Sequence, residues 1–103
     1  MNVISLDFEA ACQAALGRFF SAHPDATMQE RSMRTLRMLR ASDKPLKGKV
    51  EGWAAGIVYA VATDARIPCG VPGVLNAEFV ELMGASMETA RYRAARVREI
   101  VTW

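Results

Sequence analysis

The amino-acid sequence predicts an all-α fold, a bundle of five helices built around a buried central helix. Three observations support this prediction. Apolar residues recur at the three- and four-residue spacing of helices, one middle segment is apolar on every side, and the four prolines all stand between the predicted helices. The 103 residues match the length of one domain and contain no visible repeat or linker. We therefore expect residues 1–103 to form a single helical domain.

The composition excludes several classes of protein. Hydrophobic residues make up 51% of the chain and charged residues 23%, which is typical of globular proteins and not of disordered ones. The longest apolar stretch, residues 53–62, is shorter than the roughly 20 residues that a membrane helix needs. The N-terminus has no basic region typical of a signal peptide. We therefore expect a cytoplasmic protein with no membrane association.

The sequence shows no pattern that is typical of an enzyme. Its single histidine, His23, stands directly before a proline, and no Gly-rich phosphate loop occurs. Two cysteines and one histidine are too few for a four-ligand zinc site. We therefore expect no enzymatic activity, no metal and no cofactor.

The first predicted helix begins after Ser5, whose side chain can serve as its N-cap. It stops before Pro24, because the residue before a proline is disfavoured in helical backbone. Helical spacing predicts one buried stripe along this helix, comprising Phe8, Cys12, Ala15, Leu16 and Phe19.

The second predicted helix begins at a capping box formed by Thr27 and Glu30 and stops before Pro45. Its predicted apolar side comprises Met28, Met33, Leu36 and Leu39. Its other side carries Arg31, Arg34, Arg37 and Arg40.

The third predicted helix, residues 49–65, has no charged face in its middle, so we expect it to be buried on all sides. Its β-branched residues are also compatible with a buried strand, but its length and alanine content favour a helix. Gly52, Gly56 and Ala60 are four positions apart and leave a smooth ridge, on which another helix can approach closely.

Residues 66–73 form an irregular turn, because they contain two prolines and two glycines. Two short helices follow, over residues 76–83 and 87–101. Gly84 ends the first of them in the left-handed conformation, and Ser86 caps the second. The buried stripe of the last helix comprises Ala90, Ala94, Val97 and Val101.

Residues 76–101 have the spacing of a helix-turn-helix unit. The unit needs inward apolar residues on the first helix, glycine at the turn, a cap and a small apolar residue at the crossing. Such a unit presents its second helix to the major groove of DNA. An ordinary helical hairpin that touches no DNA has the same spacing. The matching residues are Phe79, Met83, Gly84, Ser86 and Ala90.

Two segments resemble the cyclin-like repeats of transcription factor IIB. Residues 86–93, Ser-Met-Glu-Thr-Ala-Arg-Tyr-Arg, resemble their recognition helix, and residues 53–60, Trp-Ala-Ala-Gly-Ile-Val-Tyr-Ala, resemble their alanine-rich buried helix. The chain is also similar to an uncharacterised bacterial domain family with Trp-Ala-Ala-Gly-Ile in its middle and a Gly-x-Ser-x-x-Thr helix at its end. These resemblances imply a five-helix cyclin box with a central third helix, and a role in DNA binding and transcription regulation.

Basic residues are concentrated in two segments, which can form a surface for a polyanion. Residues 28–49 carry seven basic and two acidic side chains, and residues 86–103 carry four and two. Solvated helix faces would show the same pattern. We predict duplex DNA as the partner, and a main contact surface formed by Ser86, Thr89, Arg91, Tyr92, Arg93 and Arg96. We expect supporting phosphate contacts from Arg34, Arg37 and Lys47.

A protein-interaction module with the same cyclin-like fold and no nucleic-acid binding is the alternative, which the acidic Glu78, Glu81 and Glu88 favour. One helix-turn-helix unit covers little DNA, so the sequence also predicts a homodimer. Met38, Trp103 and the first helix are the candidate dimer contacts.

Overall fold

A computed structural model describes residues 3–42, 44, 46–63, 71 and 73–101 of the chain. Within these residues the chain forms five helices and no strand, so the predicted all-α fold class is confirmed. The helices are α1 (Val3–Ala22), α2 (Ala26–Ala41), α3 (Val50–Thr63), α4 (Asn76–Met83) and α5 (Met87–Ile100). Asp43, Pro45, Cys69, Trp103 and most of the predicted 66–73 turn lie outside the described residues.

Helix α3 lies at the centre of the bundle, and the other four helices all pack against it. Every residue from Gly52 to Val61 is buried, and Trp53 is only 1% exposed. The prediction that this helix is buried on all sides is confirmed. Its burial follows from its composition, because a helix without a polar face gains most by exposing none of its surface to water.

Helix α1 contributes the predicted stripe to the core, from Phe8 to Phe19. The prediction that Ser5 caps this helix is wrong, because the helix already includes Val3 and Ser5 is its third residue. No helix-breaking residue stands between these two positions, so the helix extends past the expected cap.

The predicted capping box of α2 is also wrong. Asp25 is the N-cap, with extended backbone (φ −160°, ψ 95°), and its Oδ1 accepts a hydrogen bond of 3.0 Å from the amide of Met28. Thr27 is therefore already inside the helix. An aspartate is at least as effective a cap as a threonine, and its charge also suits the positive end of the helix.

The buried face of α2 is rotated from the predicted one. Met28 and Met33 are only half-buried, whereas Ser32 and Thr35 are fully buried. Two small side chains allow α2 to lie close to its neighbours, and the Thr35 hydroxyl donates to the Arg31 carbonyl at 2.8 Å. The predicted burial of Leu36 and Leu39 is confirmed.

The connection between α4 and α5 follows local rules. Gly84 has a φ of 72°, in the left-handed region, and its amide donates to the Val80 carbonyl at 2.9 Å. Ser86 caps α5, because its hydroxyl accepts from the Thr89 amide at 3.1 Å. Both predictions are confirmed. An interaction of 2.9 Å between His23 Nε2 and Glu78 Oε2 joins the end of α1 to α4.

Across the described part of the chain, every helix is too short or too polar to cross a membrane.

Candidate nucleic-acid interface

Helices α3 and α5 lie side by side and run in the same direction. Gly52 faces Thr89, and Gly56 faces Arg93 and Ala94. A Cβ atom placed on Gly56 would lie 2.5 Å from Arg93 Cβ and 2.9 Å from the Arg93 carbonyl carbon, closer than real Cβ contacts. Only glycine therefore allows the two backbones to lie this close. The smooth ridge predicted on the third helix is the surface that α5 packs against.

This parallel packing brings the N-terminal ends of α3 and α5 together around a groove of about 350 Å³. Helix N-termini carry partial positive charge, and Lys49 and Arg93 add full charges, whereas Glu51 is the acidic residue of the lining. The groove therefore attracts anions, and the carboxylate of Glu51 weakens that attraction. Its lining comprises Lys49, Glu51, Gly52, Gly84, Ala85, Ser86, Thr89 and Arg93.

The side chain of Arg93 lies close to two aromatic rings. Its Cζ lies 4.7 Å from the centroid of the Trp53 ring and 5.4 Å from that of Tyr92, within the range of cation–π attraction. It also lies against Gly48, whose φ of 104° suits glycine and at which a Cβ would collide with the guanidinium. These contacts fix the position of the Arg93 charge.

Trp53 links the segment before α3 to this cluster. Its indole Nε1 donates to the Lys47 carbonyl at 2.9 Å, while its ring supports Arg93. Lys47 and Lys49 are both exposed. The segment that carries the two lysines therefore meets the N-terminal half of α5, as a shared phosphate-contact surface would require.

The other α5 arginines each have a different partner. Arg91 is exposed, and its Nε donates to the hydroxyl of Tyr59 at 3.2 Å. Arg96 pairs with Glu99 at 2.8 Å. Arg98 donates to the hydroxyl of Thr63. Glu88 stands three positions before Arg91 on α5, but within the described residues Arg91 bonds to Tyr59 instead.

The outward face of α5 carries both signs of charge. Tyr92 is 69% exposed and the Arg96 side chain 40%, so both project away from the core as the helical spacing predicts. Glu88 and Glu99 lie on the same side and are exposed. A partner of this face must therefore accommodate carboxylates next to arginines.

Arg34 and Arg37 are exposed on α2, which packs against α1 and α3. Neither lines the groove between α3 and α5. The structure thus brings Ser86, Thr89 and Arg93 together at one groove, and it leaves the two α2 arginines on a different helix.

Sequence reasoning did not assign Trp53, Tyr59 or Lys49 to the site. Lys49 belongs to the basic segment and was recognisable by its charge. Tyr59 carried a weaker signal, because it is the hydroxyl-bearing residue in the otherwise apolar middle of the third helix, and buried tyrosine hydroxyls usually have a partner. The role of Trp53 depends on how α3 and α5 pack, which local sequence does not determine.

Cys12 has the chemistry of a core residue. Burial raises the pKa of its thiol to about 12, and the negative charge of Glu51 adds to the effect. The thiolate, which is the reactive form, is therefore strongly disfavoured. Within the residues described, no three His, Cys, Asp or Glu side chains are grouped as metal ligands.

Comparison with protein-family models, with curated proteins and with solved structures finds no match to this chain. The resemblance to cyclin-like repeats therefore remains a prediction that rests on the segments around Trp53 and Ser86.

Proposed function

We propose that this chain is a DNA-binding module, in which α4, the turn at Gly84 and α5 act as a helix-turn-helix unit on duplex DNA. One observation carries the proposal. The capped N-terminal end of α5 lies beside the lysine-bearing segment before α3, around a groove lined by Lys49 and Arg93. A helix end and fixed cations placed together are what a phosphate backbone requires.

The end of the molecule that carries the groove between α3 and α5 contacts the DNA backbone. Lys47, Lys49 and Arg93 supply charge, and the hydroxyls of Ser86 and Thr89 lie 3.1 Å from each other at the start of α5. Contacts of this kind set the register and orientation of a protein on a duplex without reading its sequence.

The outward face of α5 contacts base edges. Tyr92 is exposed there, and Arg91 is exposed beside the contact with α3. Arginine is the commonest residue to read guanine in the major groove. Arg96 either holds a phosphate or reads a base. Arg34 and Arg37, which lie away from the groove, contribute attraction at longer range.

Electrophoretic mobility of a random-sequence duplex at about 50 mM and 200 mM salt tests the proposal. We expect retardation at the lower concentration and much weaker retardation at the higher, because binding releases counterions. The double variant Arg91→Ala/Arg96→Ala should bind less well than the parent. Arg18→Ala, which removes an exposed charge from α1, is the matched control and should bind like the parent.

Two results would contradict the proposal. A parent protein that fails to retard duplex DNA at the lower salt concentration does not bind DNA. If the double variant folds and binds DNA as well as the parent, the contact surface lies elsewhere on the protein.

A protein-docking role is the second candidate, and it is favoured by the exposed surface of α4. Leu75, just before α4, is 76% exposed, and Glu81 is exposed on the helix itself. An interface of that kind would bind a protein partner and would give no salt-dependent retardation of DNA.

A further inference from the structure

The hydroxyl of Tyr59 is the buried end of a contact between the core and the proposed DNA-binding face. Tyr59 is 0% exposed in the middle of α3, and its hydroxyl accepts a hydrogen bond of 3.2 Å from Nε of Arg91. Arg91 itself is exposed on α5. A side chain anchored on the central helix therefore determines how an exposed arginine is aimed.

The contact uses Nε and leaves the other end of the guanidinium available. Arginine has five N–H donors in a planar fork, of which four belong to the two Nη atoms. Within the described residues, the Nη atoms of Arg91 make no hydrogen bond. Two parallel Nη donors match O6 and N7 of guanine, the pair of acceptors that this base presents in the major groove.

We propose that Tyr59 is a positioning residue that aims Arg91 at a guanine, and that Arg91 thereby sets the sequence preference of the module. This inference rests on the proposed DNA-binding function. Holding the guanidinium in its binding orientation before DNA arrives lowers the conformational entropy lost on binding. The Tyr59 hydroxyl therefore affects guanine recognition indirectly, by orienting the guanidinium of Arg91.

The other α5 arginines are less suited to this role. Arg93 makes cation–π contacts with Trp53 and Tyr92, and Arg96 is paired with Glu99. Arg98 donates to Thr63 through Nη2, so part of its own fork is occupied. Arg91 combines exposure, a fixed Nε and an unoccupied pair of Nη atoms.

Tyr59→Phe isolates the hydroxyl, because the phenylalanine ring fills the same space in the core. Thr63→Val is the matched control. It removes an α3 hydroxyl that accepts from a different α5 arginine, Arg98. Thermal unfolding of both variants shows that each is folded under the binding conditions.

The experiment selects binding sites for the full-length parent from a randomised duplex library and then replaces each selected guanine with 7-deazaguanine, which lacks the N7 acceptor. We expect one replaced guanine to weaken parent binding by about 5- to 150-fold, because the lost N7 acceptor leaves a charged donor of Arg91 unpaired. The same replacement should have little effect on Arg91→Ala. Arg91→Lys should also lose the preference, because lysine has no fork.

Tyr59→Phe should reduce the preference for that guanine by about 2- to 10-fold, as expected for the loss of one hydrogen bond. Its affinity for random duplex and its salt dependence should match those of the parent. Thr63→Val should keep the full preference.

The outcomes separate this inference from the function on which it rests. Tyr59→Phe with the full preference for guanine would show that Arg91 needs no positioning. A guanine preference that survives in Arg91→Ala would assign the reading to another residue. Either result overturns the inference and leaves DNA binding intact. A parent that selects no sequence but binds duplex DNA also overturns it, whereas a parent that binds no duplex at all overturns the proposed function itself.

Discussion

Gly56 marks the point at which a single side-chain atom decides whether α3 and α5 can pack. An alanine there would place its Cβ 2.9 Å from the Arg93 carbonyl carbon, which belongs to the backbone and cannot move aside alone. We expect Gly56→Ala to lower the free energy of unfolding by about 1–3 kcal/mol or more, measured by urea denaturation.

Gly17→Ala is the matched control for that substitution. Gly17 lies within α1, and a Cβ placed there meets nothing within 4 Å. This variant should be more stable than the parent by about 0.5–1 kcal/mol, because alanine favours helical backbone. Equal stabilities of the two variants would show that α3 and α5 are not in close contact at Gly56.

Cys12 should make stability depend on pH in the alkaline range. The ordinary pKa of the thiol is 9.0, and burial raises this pKa to about 12 in the folded chain. Between these values the folded chain retains a proton that the unfolded chain loses, so the free energy of unfolding falls as pH rises. Below pH 9 the thiol has no such effect. Urea denaturation of the parent and of Cys12→Ala at several pH values measures this contribution to the free energy of unfolding. If the two proteins lose stability in parallel as pH rises, Cys12 makes no such contribution.

At the scale of the helix, α3 contributes more buried apolar residues than any other helix among the residues whose burial is described. Ile57 is 0% exposed in its middle, and Ile57→Ala should cost about 2–5 kcal/mol of stability, from lost burial and the cavity that remains. Leu75→Ala removes a side chain that is 76% exposed and should change stability by less than about 0.5 kcal/mol. Urea denaturation compares the two, and a similar cost for both would contradict a buried α3.

The start of α5 depends on one hydroxyl. Ser86→Ala removes the acceptor for the Thr89 amide and should cost about 0.5–2 kcal/mol. Ser21, which is exposed near the end of α1, is the control residue, and Ser21→Ala should change stability by less than about 0.5 kcal/mol. Thermal unfolding distinguishes the two variants. A neutral Ser86→Ala would show that the cap contributes nothing.

Local sequence was sufficient for those features that depend on neighbouring residues. Gly84 and Ser86 lie at a helix end and a helix start that short-range rules describe, and the apolar stripes of α1 and α5 follow from helical spacing. The cap of α2 was missed because Asp25 and Thr27 are both good caps two positions apart. Which of them serves depends on how α2 docks on α1 and α3.

Contacts between distant segments could not be predicted from the neighbouring residues in the sequence. The position of Arg93 results from its contact with Trp53, and the aim of Arg91 results from Tyr59. In each pair, one residue lies on α3 and the other on α5. Sequence spacing identified the arginines as candidates, but the choice among them came from the packing of the two helices.

At the scale of the whole molecule, the proposed function predicts two copies of the chain on a symmetric site. Helix-turn-helix dimers contact half-sites about 10 base pairs apart, and a single unit covers little DNA. We expect sedimentation equilibrium to show a dimer in the presence of duplex DNA. Met38, which is 39% exposed on α2, is a candidate contact, and Met38→Lys should weaken the dimer. A monomer at high concentration, both free and with DNA, would contradict this expectation.

The parallel course of α3 and α5 ties the folding of the proposed DNA-binding unit to the rest of the chain. Because both helices run in the same direction, the chain must return along the molecule between them, so contacts such as Gly56 with Ala94 form only after a long loop has closed. A peptide of residues 76–101 would lack the surface that buries Ala90, Ala94 and Val97, and short helices without a partner are marginal in water. We therefore expect that the unit does not fold when it is transplanted by itself. Its packing depends on a central helix that lies outside it.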